Sequence, residues 1–354
     1  MKESAVEREQ ESKACFVAGQ RFLEKQEFEQ AAFNFQQSSD ALPTMSAYLN
    51  LGNSHLATSN LSQAEDAWKR GLGIAKAKGN REFEAAFLAS FGFVENAKGN
   101  LQEALKAHQD ALEFYREIGD PVNEANALGN IGSVYRKRGH MEEAIKSQEA
   151  AVKLDREIRN QEGEAAALLG LGNCYLFSMQ LAGETSDEKL KKGRDSIKES
   201  LRLFRILGDR LGEAQALLAL ASINNLAGSP KVESEDLLKK ALSLFQEVKS
   251  VKGEACALGN LGAMLADQQR FEEALKLLRA GFELERRIGD PQDQARSLIG
   301  IAYCLGQSKK PAEALQALNQ IESLKLEESE FEGLRGVIEE VRASLDAESN
   351  GKRV

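Results

Sequence analysis

The sequence predicts an all-α solenoid of helix–turn–helix repeats. Three observations predict it. The chain matches itself at intervals of about forty residues, and small residues recur at two fixed places in each interval. Ala, Leu, Glu, Lys and Gln, the strong helix formers, dominate the composition, with only 5 prolines in 354 residues.

The self-match is long. Glu124-Ala-Asn-Ala-Leu-Gly-Asn-Ile-Gly132 recurs as Glu254-Ala-Cys-Ala-Leu-Gly-Asn-Leu-Gly262, and Arg116-Glu-Ile-Gly-Asp-Pro121 as Arg286-Arg-Ile-Gly-Asp-Pro291. Taking the last glycine of the first motif as a ruler gives Gly19, Gly52, Gly92, Gly132, Gly172, Ala221, Gly262 and Ala302. A second small residue follows at Ala31, Ala64, Ala104, Ala144, Gly193, Ser234, Ala274 and Ala314. The two are twelve apart in six repeats, 21 apart in the fifth and 13 apart in the sixth. Eight repeats of two helices each follow, with the insertions between the rulers. A small residue at both places lets the two helices of a repeat approach closely, and a large one there overpacks the contact.

The fourth repeat shows the helix signals. Asp120 is an N-cap and Pro121 suits the first helical position. Ala125, Leu128, Ile131, Gly132 and Tyr135 keep the 3–4 spacing of one helical face, and Gly139 ends the helix. The second helix carries Ala144, Ile145, Ala151, Val152 and Ile158. Asn60 with Gln63, and Asn100 with Glu103, have the spacing of capping boxes. The insertion within Gln180 to Lys189 reads as a polar, flexible lengthening of one turn.

At the ends, residues 1–10 form a polar N-terminal segment and the repeats occupy 11–325. Residues 326–348 read as a capping helix with Phe331, Leu334, Val337, Ile338, Val341 and Leu345 on its apolar face. A polar tail, 349–354, is expected to be disordered.

Small residues twelve apart, Tyr135 three after the first, and Ala111, Ala151 or Gly281 seven after the second resemble the tetratricopeptide signature, over roughly Glu11 to Leu324. The long period and the triplets Leu51-Gly-Asn53, Leu128-Gly-Asn130, Leu171-Gly-Asn173 and Leu258-Gly-Asn260 resemble the spindle-orientation adaptors of the Pins/LGN type. Kinesin light chains and many bacterial regulators have similar long-period repeats. The resemblance implies a right-handed superhelix whose first helices line a concave, partner-binding surface. It implies that residues six and two before the ruler, and one, four and five after it, face inward. Those places hold Asn126, Asn130, Ser133, Arg136 and Lys137 in the fourth repeat. Asn50 and Asn53 come from the second, Ser90 and Asn96 from the third, and Asn173 from the fifth. Gln215, Ser222, Asn225, Asn260, Arg296 and Tyr303 come from the last three.

Asparagine is a poor residue inside a helix, so its recurrence calls for a use. A carboxamide both donates and accepts, which suits the backbone of an extended peptide. The alternative is a hydrogen bond between neighbouring helices. The expected groove centres on repeats three to five, where Asn96, Asn126, Asn130, Arg136 and Asn173 converge and Arg136 meets an acidic partner residue. Chaperone-type clamps place Lys three before the first ruler. Here those positions hold Phe16, Leu49, Ala89, Gly129, Leu169, Leu218, Gly259 and Ile299, so binding of a C-terminal carboxylate is disfavoured.

Other function classes fare worse. The net charge of −9, with no long basic stripe, argues against nucleic acid. The polar N-terminus lacks a signal-peptide core, and no run approaches the roughly 18 apolar residues of a membrane span. Cys15, Cys174, Cys256 and Cys304 are widely spaced, which points to reduced thiols, a cytoplasmic setting and no structural metal. His55, His108 and His140 fall in different repeats, and no nucleophile or phosphate-loop motif occurs, so neither catalysis nor a cofactor is expected. The reading is an adaptor for a protein or peptide partner. A self-associating assembler is the first alternative, and a peptide-sensing regulator resembling bacterial Rap-type proteins is the second. Rap-type proteins carry an extra N-terminal bundle, for which the first repeat, entered by Glu11, leaves no room.

Overall fold

The fourth repeat behaves as its residues dictate. The Asp120 carboxylate accepts from the Asn123 N–H at 3.1 Å, and Pro121 opens the helix that follows. That helix stops at Gly139, whose φ of 77° is the left-handed conformation that favours glycine. The stop is locked by His140 N–H donating to Tyr135 O at 2.9 Å and Gly139 N–H donating to Arg136 O at 3.1 Å, a Schellman pattern.

The computed structural model describes residues 2–343 except 26, 59, 230, 290, 325, 327–333 and 340. The described residues are helical throughout and contain no strand. They fall into two compact units, 1–181 and 182–354. The first holds α1 (Lys2–Glu24), α2 (Phe28–Ala41), α3 (Met45–Ala57), α4 (Leu61–Lys78), α5 (Arg81–Ala97), α6 (Leu101–Ile118), α7 (Pro121–Lys137), α8 (Met141–Glu157) and nearly all of α9 (Gln161–Ala182). The second holds α10 (Asp187–Leu207), α11 (Arg210–Leu226), α12 (Lys231–Glu247), α13 (Val251–Asp267), α14 (Phe271–Ile288), α15 (Pro291–Gln307) and α16 (Pro311–Glu322). Within each unit consecutive helices pack in pairs, the architecture of an α-solenoid.

Packing explains the ruler glycines. A side chain begun at Gly19 would lie 2.8 Å from the Phe35 ring, and one at Gly52 within 2.5 Å of Trp68 Cδ1 and Cε2. Gly92 faces His108 in the same way, Gly132 faces Gln148, and Gly262 faces Leu278. Each of these neighbours stands four residues after the second ruler. The same place holds Ile197, Leu238 and Leu318 in the other repeats, and all eight residues are at most 3% exposed. A glycine slot on the first helix thus receives one plug from the second. Around the plugs, Phe35, Leu51, Trp68 and Phe87 form one core of the first unit, and Leu105, Leu112, Tyr115 and Ile131 a second. Leu261, Leu278, Leu298, Leu305 and Leu318 lie in the core of the second unit.

Ion pairs bridge successive repeats at matching places. Arg116 contacts Glu124 at 2.7 Å, Arg156 contacts Glu164 at 2.6 Å, and Arg205 contacts Glu213 at 2.8 Å. The arginines are about half exposed, so each pair is worth at most about 1 kcal/mol.

Four sequence expectations need adjustment. The polar residues 2–10 are not separate: they form the first turns of α1, because no Gly or Pro interrupts a run of helix formers. Asn60 and Asn100 stand at N-caps but accept no capping bond there. Their carboxamides turn aside, Asn60 Nδ2 to Thr58 Oγ1 at 2.9 Å and Asn100 Nδ2 to Glu95 Oε2 at 2.7 Å. The fifth-repeat insertion is largely helical: α9 has 22 residues and α10 has 21, against 17 for α7 and α11. Gln180-Leu-Ala prolongs α9, Gly183 ends it at φ 65°, and Asp187-Glu-Lys starts α10, which leaves 183–186 as the turn. Finally, α9 carries an 18-residue window of mean hydropathy 1.3, enough by length and composition to cross a membrane. Of that window 61% is buried inside the protein, the pattern of a core helix.

After α16, residues 334–339 and 341–343 are helical. Ile338 and Val341 are buried and Leu334 packs against the same core, so these residues cap the last repeat of the second unit. Phe331, Leu345 and the tail 349–354 lie outside the described residues.

Candidate binding groove

The first helices of repeats two to five, α3, α5, α7 and α9, contribute to one groove of about 450 Å³ in the first unit. Alanine and glycine keep it open: Ala86 and Ala89 on α5, Gly129 on α7, and Ala166, Ala167 and Gly170 on α9. Leu49 and Phe93 supply apolar surface, and Phe93 remains 46% exposed. Its ring also meets the His108 imidazole edge-on, with centroids 5.3 Å apart.

Four of the predicted residues line this groove: Asn53, Asn126, Asn130 and Ser133. The Asn53 and Asn130 carboxamides make no hydrogen bond to a neighbouring helix among the described residues. Asn126 reaches only Asn123 Oδ1 on its own helix, at 3.4 Å. Ser90 also lines the groove, with its hydroxyl donating to Ala86 O at 2.9 Å.

The others do not converge there. Arg136 places its guanidinium 4.7 Å from the centre of the Phe177 ring, and burial lowers its pKa. Its long side chain finds the aromatic ring on α9. Lys137 donates to the backbone O of Asn96 at 3.2 Å. Asn96 ends α5, with its Oδ1 buried and unpartnered, and Asn173 lies on α9; neither lines the groove. Asn225 on α11 and Arg296 on α15 belong to the second unit, where Arg296 pairs with Asp293 at 3.2 Å.

Sequence reasoning missed the floor. Gln148 on α8 is 2% exposed, and its Nε2 donates to Gly129 O at 2.9 Å. Asp155, also 2% exposed, accepts from Asn160 Nδ2 at 2.7 Å. Burial raises its pKa, and the bond from Asn160 opposes that shift. Tyr115 is pushed up to about 12 by burial and by the carboxylates of Asp120 and Glu82. The available signal for Gln148 was a polar residue four after the second ruler, where most repeats carry an apolar one.

Nothing in this set resembles an activated nucleophile. Burial pushes the Cys174 and Cys304 thiols up to about 11, so both are protonated at neutral pH. Among the described residues no group of three or more His, Cys, Asp or Glu is placed to hold a metal.

The model of the tetratricopeptide repeat matches residues 82–157, 123–181 and 253–327. The chain carries tetratricopeptide repeats. The matches fall on α5 to α9 and on α13 to α16, where the rulers keep their regular spacing. Comparison with curated proteins gives no sequence match. Among solved structures, a Rap protein complexed with Competence and Sporulation Factor is 13% identical, with a TM-score of 0.61 over 98% of this chain and 100% of that one. A signal-transduction ATPase with a tetratricopeptide repeat sensor from Pyrococcus horikoshii is 15% identical, with a TM-score of 0.60 over 90% of this chain and 46% of that one. A tetratricopeptide protein from Parabacteroides merdae is 17% identical, with a TM-score of 0.52 over 85% and 98%. At such identities these likenesses concern the fold. The near-complete overlap with the Rap chain does remove the objection that this chain leaves no room for a Rap-type arrangement.

Proposed function

We propose that this protein is an interaction module, not an enzyme, and that it holds an extended segment of a protein partner in the groove of its first unit. One observation carries the reading: Asn53 and Asn130, from different repeats, both present unpartnered carboxamides to one open groove. Carboxamides in an open groove can exchange water for a peptide backbone, which offers the complementary groups at regular intervals. The small residues of α5 and α9 leave space for that backbone to approach. Two of the Leu-Gly-Asn triplets supply these asparagines, so the resemblance to Pins/LGN-type adaptors supports a scaffold role. The Rap structure solved with Competence and Sporulation Factor supports occupancy of such a fold by a partner. The four free thiols fit the reducing cytoplasmic setting we assign to it.

The test is quantitative capture of partners from a cell extract by the wild-type chain and by an Asn53→Ala, Asn130→Ala double variant. Each lost bond is worth about 0.5–1.5 kcal/mol, so the captured partner's affinity should fall at least severalfold while the melting curve stays in place. Unchanged affinity for every captured partner would remove the groove from consideration. Light scattering over a range of concentrations tests the self-associating alternative, which requires the mass to rise with concentration.

A further inference from the structure

The plug position is apolar in six repeats and polar in two, and one of the polar plugs lies under the groove. Gln148 is held by three glycines. A side chain begun at Gly170 would lie 2.7 Å from its carboxamide, one at Gly132 would lie 2.9 Å from its Nε2, and Gly129 O accepts its N–H. The amide orientation is set by that last bond, which leaves Oε1 as the outward atom. Oε1 lies 3.9 Å from where a Gly129 side chain would begin, and it has no hydrogen-bond partner among the described residues. A buried carbonyl oxygen without a donor is unfavourable, yet Leu occupies the same place in the sixth, seventh and eighth repeats without that deficit.

We infer that the Gly129–Gln148–Gly170 floor is a specificity subsite that accepts a backbone N–H of the bound segment at a Gly, Ala or Ser residue, within a stretch that is neutral or basic. The inference rests on the proposed peptide-binding function and names the class of segment bound. The acceptor is Gln148 Oε1, and the missing side chain at Gly129 lets a ligand backbone come down to it, whereas the space at Gly170 is taken by Gln148 itself. A large side chain on the ligand would hold its backbone off this glycine floor, which selects a small residue at that point. The charge preference follows from the lining, which includes the Asp155 carboxylate and no Lys or Arg. Arg136, the cation expected to attract an acidic partner, is engaged with Phe177.

The test selects random twelve-residue peptides displayed on phage against the full wild-type chain, then synthesises a selected peptide with each backbone nitrogen methylated in turn. One methylated position should weaken binding to the wild type about tenfold, the loss of one good hydrogen bond. The same methylation should leave binding to Gln148→Leu unchanged, and that variant should bind the unmethylated peptide about tenfold more weakly than the wild type does. Leucine fills this place in three other repeats, so the variant is expected to fold; Gln148→Met, unbranched and without the acceptor, is the second variant. If binding depends on Asn130 but no methylated position couples to residue 148, the subsite is wrong and the groove reading stands. Selected peptides rich in Asp or Glu would overturn the charge preference. A selection that yields no peptide overturns both.

Discussion

Gly52→Ala adds one methyl group at the most crowded slot of the first unit. The new carbon would lie within 2.5 Å of three atoms of the Trp68 indole, whereas ordinary contact begins at 3.4 Å. The ring is rigid, fully buried and packed edge-on against Phe91, so it retreats only by opening α3 from α4. That movement also lengthens the bond from Trp68 Nε1 to Leu49 O, already 3.3 Å. Overpacking of about 1–3 kcal/mol and loss of a bond worth about 1 kcal/mol together predict a destabilisation of about 2–4 kcal/mol. Trp68 is the only tryptophan in the chain, so its fluorescence reports this repeat alone. With a urea slope of about 2 kcal/mol per molar, the fluorescence midpoint should fall by about 1–2 M. Gly73→Ala on α4, the helix that carries Trp68, is the control. Nothing lies within 4 Å of its new methyl group, and replacing a mid-helix glycine stabilises by about 0.5–1 kcal/mol. If both variants shift the midpoint in the same direction, the slot-and-plug account of the ruler is wrong.

Three further outcomes follow from the same contacts. His108 is buried with both ring nitrogens unpartnered, and burial lowers its pKa to about 4. Because the folded value lies below the unfolded one, its contribution is intact above about pH 6.5 and is lost as pH falls towards 4, up to about 3 kcal/mol. Urea midpoints measured from pH 7 to 4 should therefore slope less steeply in His108→Leu, and equal slopes would contradict this. Arg136→Ala should lower stability by about 0.5–2 kcal/mol through loss of the Phe177 contact while leaving partner affinity unchanged; calorimetric melting and a binding titration on one preparation check both. Ile338→Ala should cost about 2–4 kcal/mol in the second unit and speed hydrogen exchange in α15 and α16, leaving α3 to α6 as in the wild type.

The fold was legible because the rulers repeat both a residue class and a spacing. Glycine or alanine at Gly52, Gly92 and Gly132 reports a steric requirement that no larger residue meets, so identity alone reveals it. The plugs repeat in place but not in chemistry: Phe35, Trp68, His108, Gln148 and Ile197 share only their burial, which single-sequence comparison does not register. The groove was half legible for a related reason. Short side chains such as Asn53 and Asn130 stay where their Cα atoms point, and both line the groove. Long ones such as Arg136 and Lys137 travel several ångströms to a ring or a carbonyl on a neighbouring helix, which no offset encodes. The capping boxes failed because the Asn60 and Asn100 carboxamides turn to donate through Nδ2 to Thr58 and Glu95, and their Oδ1 atoms accept no capping N–H.

The change of plug along the first unit bears on how the chain acquires its structure. Phe35 and Trp68 fill their slots with large apolar rings, whereas His108 and Gln148 fill theirs with groups that leave polar atoms unmet. Adjacent repeats stabilise one another, and the best-anchored pair of helices is the favoured nucleus. Structure in this unit therefore starts from α1 to α4 and spreads towards α8. The groove, built across α3 to α9, closes last on folding and opens first under mild denaturant. A partner segment that bridges Asn53 and Asn130 would tie the early-forming half to the late-forming half, and so act as the final brace of the unit it occupies.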